Sequence, residues 1–136
     1  MQMNTFKKEE RLCSVRLIQS LFHSGSSFVV YPFRVVYHIE DHEVGRAQVL
    51  ISVSKRRFKL AVTRNSIKRR LREAYRLEKA GKLLPFLHDR KQYLAFAIQY
   101  IGKQEEAVVP MLREKMITVF KKIQHESDRM DQHLSD

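Results

Sequence analysis

Apolar residues recur along this chain first with helical spacing, then in strand-like runs, then with helical spacing again. Leu12, Val15, Ile18, Leu21 and Phe22 share one helix face, with Glu9 and Glu10 in a suitable first turn and Gly25 as a stop. That pattern predicts a helix over residues 8–24. Residues 28–39 (FVVYPFRVVYHI) are β-branched and aromatic, which predicts one strand with Tyr31, Phe33, Val35, Tyr37 and Ile39 on one side. Pro32 marks that strand as an edge or the site of a bulge. A polar hairpin-type loop over 40–46 leads to a second strand, 47–54, where Val49, Ile51 and Val53 oppose Leu50, Ser52 and Ser54. Ile67, Leu71, Ala74 and Tyr75 then fall on one helix face, with a start at Ala61 or a cap at Thr63. Residues 81–91, with Gly81 and Pro85, read as a loop. The mostly apolar run 92–101 reads as a central strand buried on both faces. Val108, Leu112, Met116, Val119, Phe120 and Ile123 give a final helix, and from Gln124 the chain is polar and reads as a frayed tail. The expectation is a single small α+β domain over 1–123, in the order α-β-β-α-β-α, with a C-terminal tail over 124–136.

Charge changes this picture from a generic domain to a specific surface. Between Lys55 and Lys79, eleven of 25 residues are Lys or Arg and only Glu73 and Glu78 are acidic, so this segment holds net +9 of the chain's +11. Arg64, Lys68, Arg72 and Arg76 follow at i+4 steps, with Asn65 and Arg69 beside them, as a basic stripe next to the apolar one. Like charges at that spacing cost a helix about 0.2–0.5 kcal/mol per pair. Charge this dense and this little neutralised points to a polyanion, most often nucleic acid.

Composition removes other classes. The 136 residues are 43% hydrophobic, enough for one core, and four Gly and three Pro exclude fibrous and low-complexity chains. The one cysteine, Cys13, allows no internal disulfide, suits a reducing compartment and reads as a small core residue. No apolar run reaches the roughly 18–20 residues of a membrane span, and the N-terminal charges precede no apolar signal region, so the cytoplasm is the expected location. The six histidines lack metal-ligand spacing, and His38 and His42 beside Glu40, Asp41 and Glu43 read as a solvated hairpin. No nucleophile-base pattern or Gly-rich phosphate loop is present.

The segment 61–72, AVTRNSIKRRLR, resembles the "RNR" signature of the bacterial ribonuclease P protein subunit, close to A-V-x-R-N-x-[IV]-K-R-x-x-R. Arg64, Asn65, Ile67, Lys68, Arg69 and Arg72 fill its named positions. The preceding Ser52-Val53-Ser54-Lys55 and the helix ending Leu21-Phe22-His23-Ser24-Gly25 are also similar to that family, and the likeness spans most of residues 5–123. Two features depart from it: residues 55–60 (KRRFKL) replace a shorter turn with glycine, and Ile98-Gln99-Tyr100 replaces an Ala-Arg strand ending, with Tyr100 a candidate substitute for the basic group.

The resemblance implies a fold shared with a domain of a small-subunit ribosomal protein, including a left-handed βαβ crossover that the general right-handed rule does not predict. It implies a protein partner of a catalytic RNA that removes the 5′ leader of precursor tRNA, with Mg²⁺ held mainly by that RNA and no catalytic residue in this chain. Lys55, Arg64, Asn65, Lys68, Arg69 and Arg72 are the implied contacts to the catalytic RNA; Asn65 serves equally well as a local helix-start bond. Ile18, Phe22, Tyr37 and Ser52 are the implied leader cleft between the first helix and the sheet, with Phe22 and Tyr37 as its floor. Lys7, Lys8 and Arg11 are further phosphate candidates. Two other readings stay open at this point: a structural ribosomal protein, and a DNA-binding repressor with residues 67–77 as recognition helix.

Overall fold

The computed structural model describes residues 8–135, with side chains described to Met130; Lys7 lies outside the described residues. Among the described residues, four α-helices and four strands follow in the order α1 (Val15–Ser24), β1 (Ser26–Val30), β2 (Phe33–Asp41), β3 (Arg46–Val53), α2 (Ala61–Lys82), α3 (Leu84–Arg90), β4 (Gln92–Tyr100) and α4 (Val109–Ser135). One sheet has the strand order β1-β2-β4-β3. β4 is antiparallel to β2 and parallel to β3, so α2 and α3 form the crossover between the two parallel strands. The α+β expectation is met, as is the central place of β4, in which every residue but Gln99 is buried.

The two faces of the sheet carry different loads. Phe33, Val35, Ile39, Val49, Ile51, Val53, Leu94, Phe96, Ile98 and Tyr100 point to α2, α3 and α4 and join Ile67, Leu71, Tyr75, Leu112, Met116 and Phe120 in the main core. The opposite face is thinner: Val36, Tyr93, Ala95 and Ala97 pack on Leu12, Leu21 and Ile18 of the N-terminal region. The two alanines leave room for α1 to lie close to the sheet.

Several predicted boundaries move, each for a local reason. The helix expected over 8–24 is split: a short 3-10 turn, Lys8–Glu10, precedes an extended stretch in which Leu12 N–H donates to the Val49 carbonyl at 2.9 Å. This stretch covers the outer edge of β3, an exposed ladder that would otherwise invite pairing. α1 then starts afresh after Ser14, whose hydroxyl accepts from Leu17 N–H as an N-cap. Cys13 falls in this break and is exposed, so it is not a core residue. The strand expected over 28–39 is two strands of a hairpin, turned at a cis Tyr31–Pro32 bond with Val30 opposite Phe33. The loop expected over 81–91 is mostly helix α3, with Pro85 in its first turn where a missing N–H costs nothing. These changes add one strand and one helix to the predicted order.

The C-terminal region also differs from a frayed tail. α4 continues past Gln124, and Ser127 is fully buried, donating to Gln92 Oε1 while Arg90 donates to its hydroxyl at 2.8 Å. Arg90 also pairs with Asp128. A polar lock therefore joins the end of α4 to α3 and β4, which a reading based on apolar spacing does not register.

Candidate nucleic-acid interface

α2 begins at Ala61 with Leu60 as an N-cap lacking any side-chain bond, so Thr63 is not the cap. Its buried side, Ile67, Leu71, Ala74, Tyr75 and Glu78, is the predicted apolar stripe extended by one turn. On the opposite side Asn65, Lys68, Arg69 and Arg72 lie within an arc of about 100° at 100° per residue. Asn65, Arg69 and Arg72 are exposed and Lys68 is half-buried. Among the described residues these four side chains have no hydrogen bond or ion pair within the protein. Asn65 therefore does not serve as a helix-start bond, and its amide is left for solvent or a partner.

The neighbouring arginines do different work. Arg64 Nη1 donates to the carbonyls of Phe58 and Lys59 at 2.8 and 2.9 Å, tying the preceding turn to the helix that lacks a side-chain cap. Arg70 donates to Ala107 O at 3.0 Å and fastens α2 to the segment before α4. Arg76 makes a two-pronged bond to Glu73 at 2.6 and 3.1 Å, which lowers the Glu73 carboxyl below its ordinary value. The turn itself is organised by Ser54, which accepts from Arg56 N–H through its hydroxyl and from Phe58 N–H through its carbonyl. Lys55, Arg56, Arg57 and Lys59 stand exposed on it, and exposed Leu60 and Val62 add an apolar margin beside the stripe.

The cleft between α1 and the sheet is present, with one candidate misplaced. Phe22, 43% exposed, forms the rim of a cavity of about 180 Å³ with Gly25, Ser27, Arg34, Val36 and Gln99. Ile18 packs against the same face. Strand pairing sets Arg34 beside Gln99 and Gln99 beside Ser52, so these three form a polar row across that face. Tyr37 lies on the other face, against the α4 side, with Phe28. Side chains alternate along a strand, and Tyr37 has the same parity as Phe33, Val35 and Ile39. Val36 occupies the cleft position that Tyr37 was expected to fill. Tyr100 is also not a surface contact: it is buried, its hydroxyl donates to Lys103 O at 2.6 Å, and burial pushes its phenol up to about 12.

The chain links the two surfaces at one end of the sheet. Ser52 and Gln99 lie one residue from the carboxyl ends of β3 and β4, and β3 leads directly through Lys55–Arg57 into α2. Sequence reasoning missed Arg34, Val36 and Gln99; strict alternation from Val35 was the available signal. Among the described residues no group of three or more His, Cys, Asp or Glu converges on a metal-sized site, and no helix is long and apolar enough to cross a membrane.

The fold and surface define a small α+β protein with one cationic helix beside an aromatic-rimmed cleft. The sequence matches the ribonuclease P family over residues 6–124, and the chain belongs to that family. It is 43% identical over 98 residues to the ribonuclease P protein component of Porphyromonas gingivalis, 71% of each chain. It is 34% identical over 110 residues to that of Chlorobium phaeobacteroides, 75% of each. Its fold is similar to the RNase P protein of Thermotoga maritima, with a TM-score of 0.60, 24% identity, and coverage of 83% of this chain and 96% of that one. A mutant RNase P protein of Staphylococcus aureus gives 0.65 at 22% identity, covering 86% and 90%. The chain's role is accordingly in the ribonuclease P ribonucleoprotein, in tRNA processing.

Proposed function

We propose that this chain binds the catalytic RNA of ribonuclease P through α2 and the 5′ leader of precursor tRNA through the α1–sheet cleft. The observation that carries the reading is the set of uncommitted side chains Asn65, Lys68, Arg69 and Arg72 on one face of α2, the helix that follows β3 and its Ser52 through the basic turn Lys55–Arg57. The guanidinium groups suit paired contacts to phosphate oxygens, and Lys68 and Lys55 supply point charges. Arg64 acts chiefly by holding the turn that presents Lys55. In the cleft, Phe22 stacks an unpaired base while Arg34, Gln99 and Ser52 offer donors to its edge and phosphate. Bond breaking belongs to the RNA, with Mg²⁺ held there. The protein raises substrate affinity and favours productive metal binding by the RNA. Cys13, exposed and single, suits the reducing cytoplasm, which is the proposed location.

Phe22→Ala tests the cleft. Loss of one stacking partner is expected to cost about 1–3 kcal/mol, roughly 5- to 150-fold, in affinity of the holoenzyme for precursor tRNA. Affinity for mature tRNA should stay unchanged. Equal losses on both substrates for Phe22→Ala would remove the cleft from the account.

A further inference from the structure

A second groove lies on the opposite face of the sheet, between the outer strand β1 and the middle of α4. Its volume is about 390 Å³, within the range of small-ligand sites. Phe28 and Tyr37, both half-buried, form its floor, with ring centroids 5.6 Å apart and planes at 60°. Lys121, Lys122 and His125 line its α4 wall. Lys122 Nζ sits 5.4 Å from the Phe28 ring centroid. Among the described residues neither lysine pairs with a carboxylate, and Glu126, the one acid on the wall, is already paired with Arg129 at 3.2 Å.

The geometry points to a second binding site for unpaired RNA, taking one nucleotide with its base on Phe28 and Tyr37 and its phosphate on Lys121 and Lys122. An ammonium over an aromatic face marks where a flat, polarisable group can stack. A base entering there displaces Nζ toward the groove mouth, where a phosphate is its fitting counter-ion. An acidic peptide would use the lysines but leave the aromatic floor unused, whereas a nucleotide uses both. Ser27 borders both this groove and the Phe22 cavity, so one unpaired strand can pass between them around the edge of β1. The inference stands on the aromatic and charge placement and not on the cleft reading.

The test uses the full-length Phe22→Ala protein, so that a failed cleft does not obscure the result. Titration with single-stranded hexa-adenylate, followed by backbone amide NMR, is expected to shift the signals of Phe28, Tyr37, Lys121, Lys122 and His125. Adding Lys121→Gln and Lys122→Gln, both at exposed positions, should then weaken binding about fivefold or more and reduce its salt dependence. Shifts confined to α2 or to the α1 face would overturn the proposal. So would an affinity indifferent to the two glutamines. Hexaglutamate moving the same amides as strongly as hexa-adenylate would assign the groove to acidic peptides instead.

Discussion

Replacing Lys68, Arg69 and Arg72 together with alanine is expected to weaken binding to ribonuclease P RNA by about 10²–10³-fold without unfolding the protein. Each of these side chains is uncommitted within the described structure, so its donors are available to phosphate. Charge-assisted hydrogen bonds are worth about 1.5–3 kcal/mol each, and about 1.4 kcal/mol is tenfold, so three partly additive losses reach this range. The slope of log affinity against log salt should flatten by about 2–3, at about 0.7–0.9 for each phosphate no longer neutralised. Stability moves the other way. Alanine is the better helix former, and removal of i,i+4 repulsion between Arg64, Lys68, Arg72 and Arg76 adds a few tenths of a kcal/mol. A variant that melts no lower than the parent yet loses RNA affinity and salt dependence separates RNA binding from folding. An unchanged slope would place the phosphates on another face.

The second large effect is on stability. Lys79→Ala is expected to cost about 3 kcal/mol, or about 10 °C in Tm. The Lys79 side chain is 2% exposed and pairs with Glu10, 21% exposed, on the segment that covers the β3 edge. Its Nζ also lies 5.8 Å from the centre of the Tyr75 ring. Removing the ammonium leaves a carboxylate only partly hydrated and a cavity beside Tyr75. A buried ion pair is weak evidence of net stabilisation, but breaking one side of it is costly. The double change Glu10→Met, Lys79→Met should therefore recover most of the loss. A single-variant cost below about 1 kcal/mol would show that the pair does not pin the N-terminal segment. The expected readout at the site is faster exchange of the Leu12 amide, which depends on that segment staying on Val49.

How much of this was legible in the sequence depends on which physical signal each element leaves. Long periodic elements leave a strong one: the apolar stripe of α2, the buried run of β4 and the core spacing of α4 all appear where the pattern places them. Punctuation leaves a weaker one. The Tyr31–Pro32 turn lacks the Gly, Asn or Asp of common hairpins, so β1 and β2 read as one strand. Gly81 and Pro85 suggest a break, yet Gly81 lies within α2 and Pro85 fits the first turn of α3. Long-range polar locks leave none: nothing near Ser127 announces that Gln92 and Arg90 wait for it.

The candidate site divides the same way. Which residues of α2 face outward follows from its period, and the structure keeps Asn65, Lys68, Arg69 and Arg72 together. Which outward arginines are already engaged does not follow, since the carbonyls that hold Arg64 and Arg70 come from a turn and from a segment 37 residues away. In the cleft, Ile18, Phe22 and Ser52 share a face as expected. Tyr37 has cleft chemistry but the parity of Phe33, Val35 and Ile39, and its partners place it in the groove with Phe28 instead.

The most direct test of the central claim is leader removal by the cognate ribonuclease P RNA across a Mg²⁺ titration, with and without this protein. The protein is expected to lower the Mg²⁺ needed for cleavage, the Lys68, Arg69 and Arg72 alanine variant to leave it unchanged, and the protein alone to cut nothing. Cleavage by the protein without RNA, or a Mg²⁺ requirement untouched by its addition, would contradict that claim.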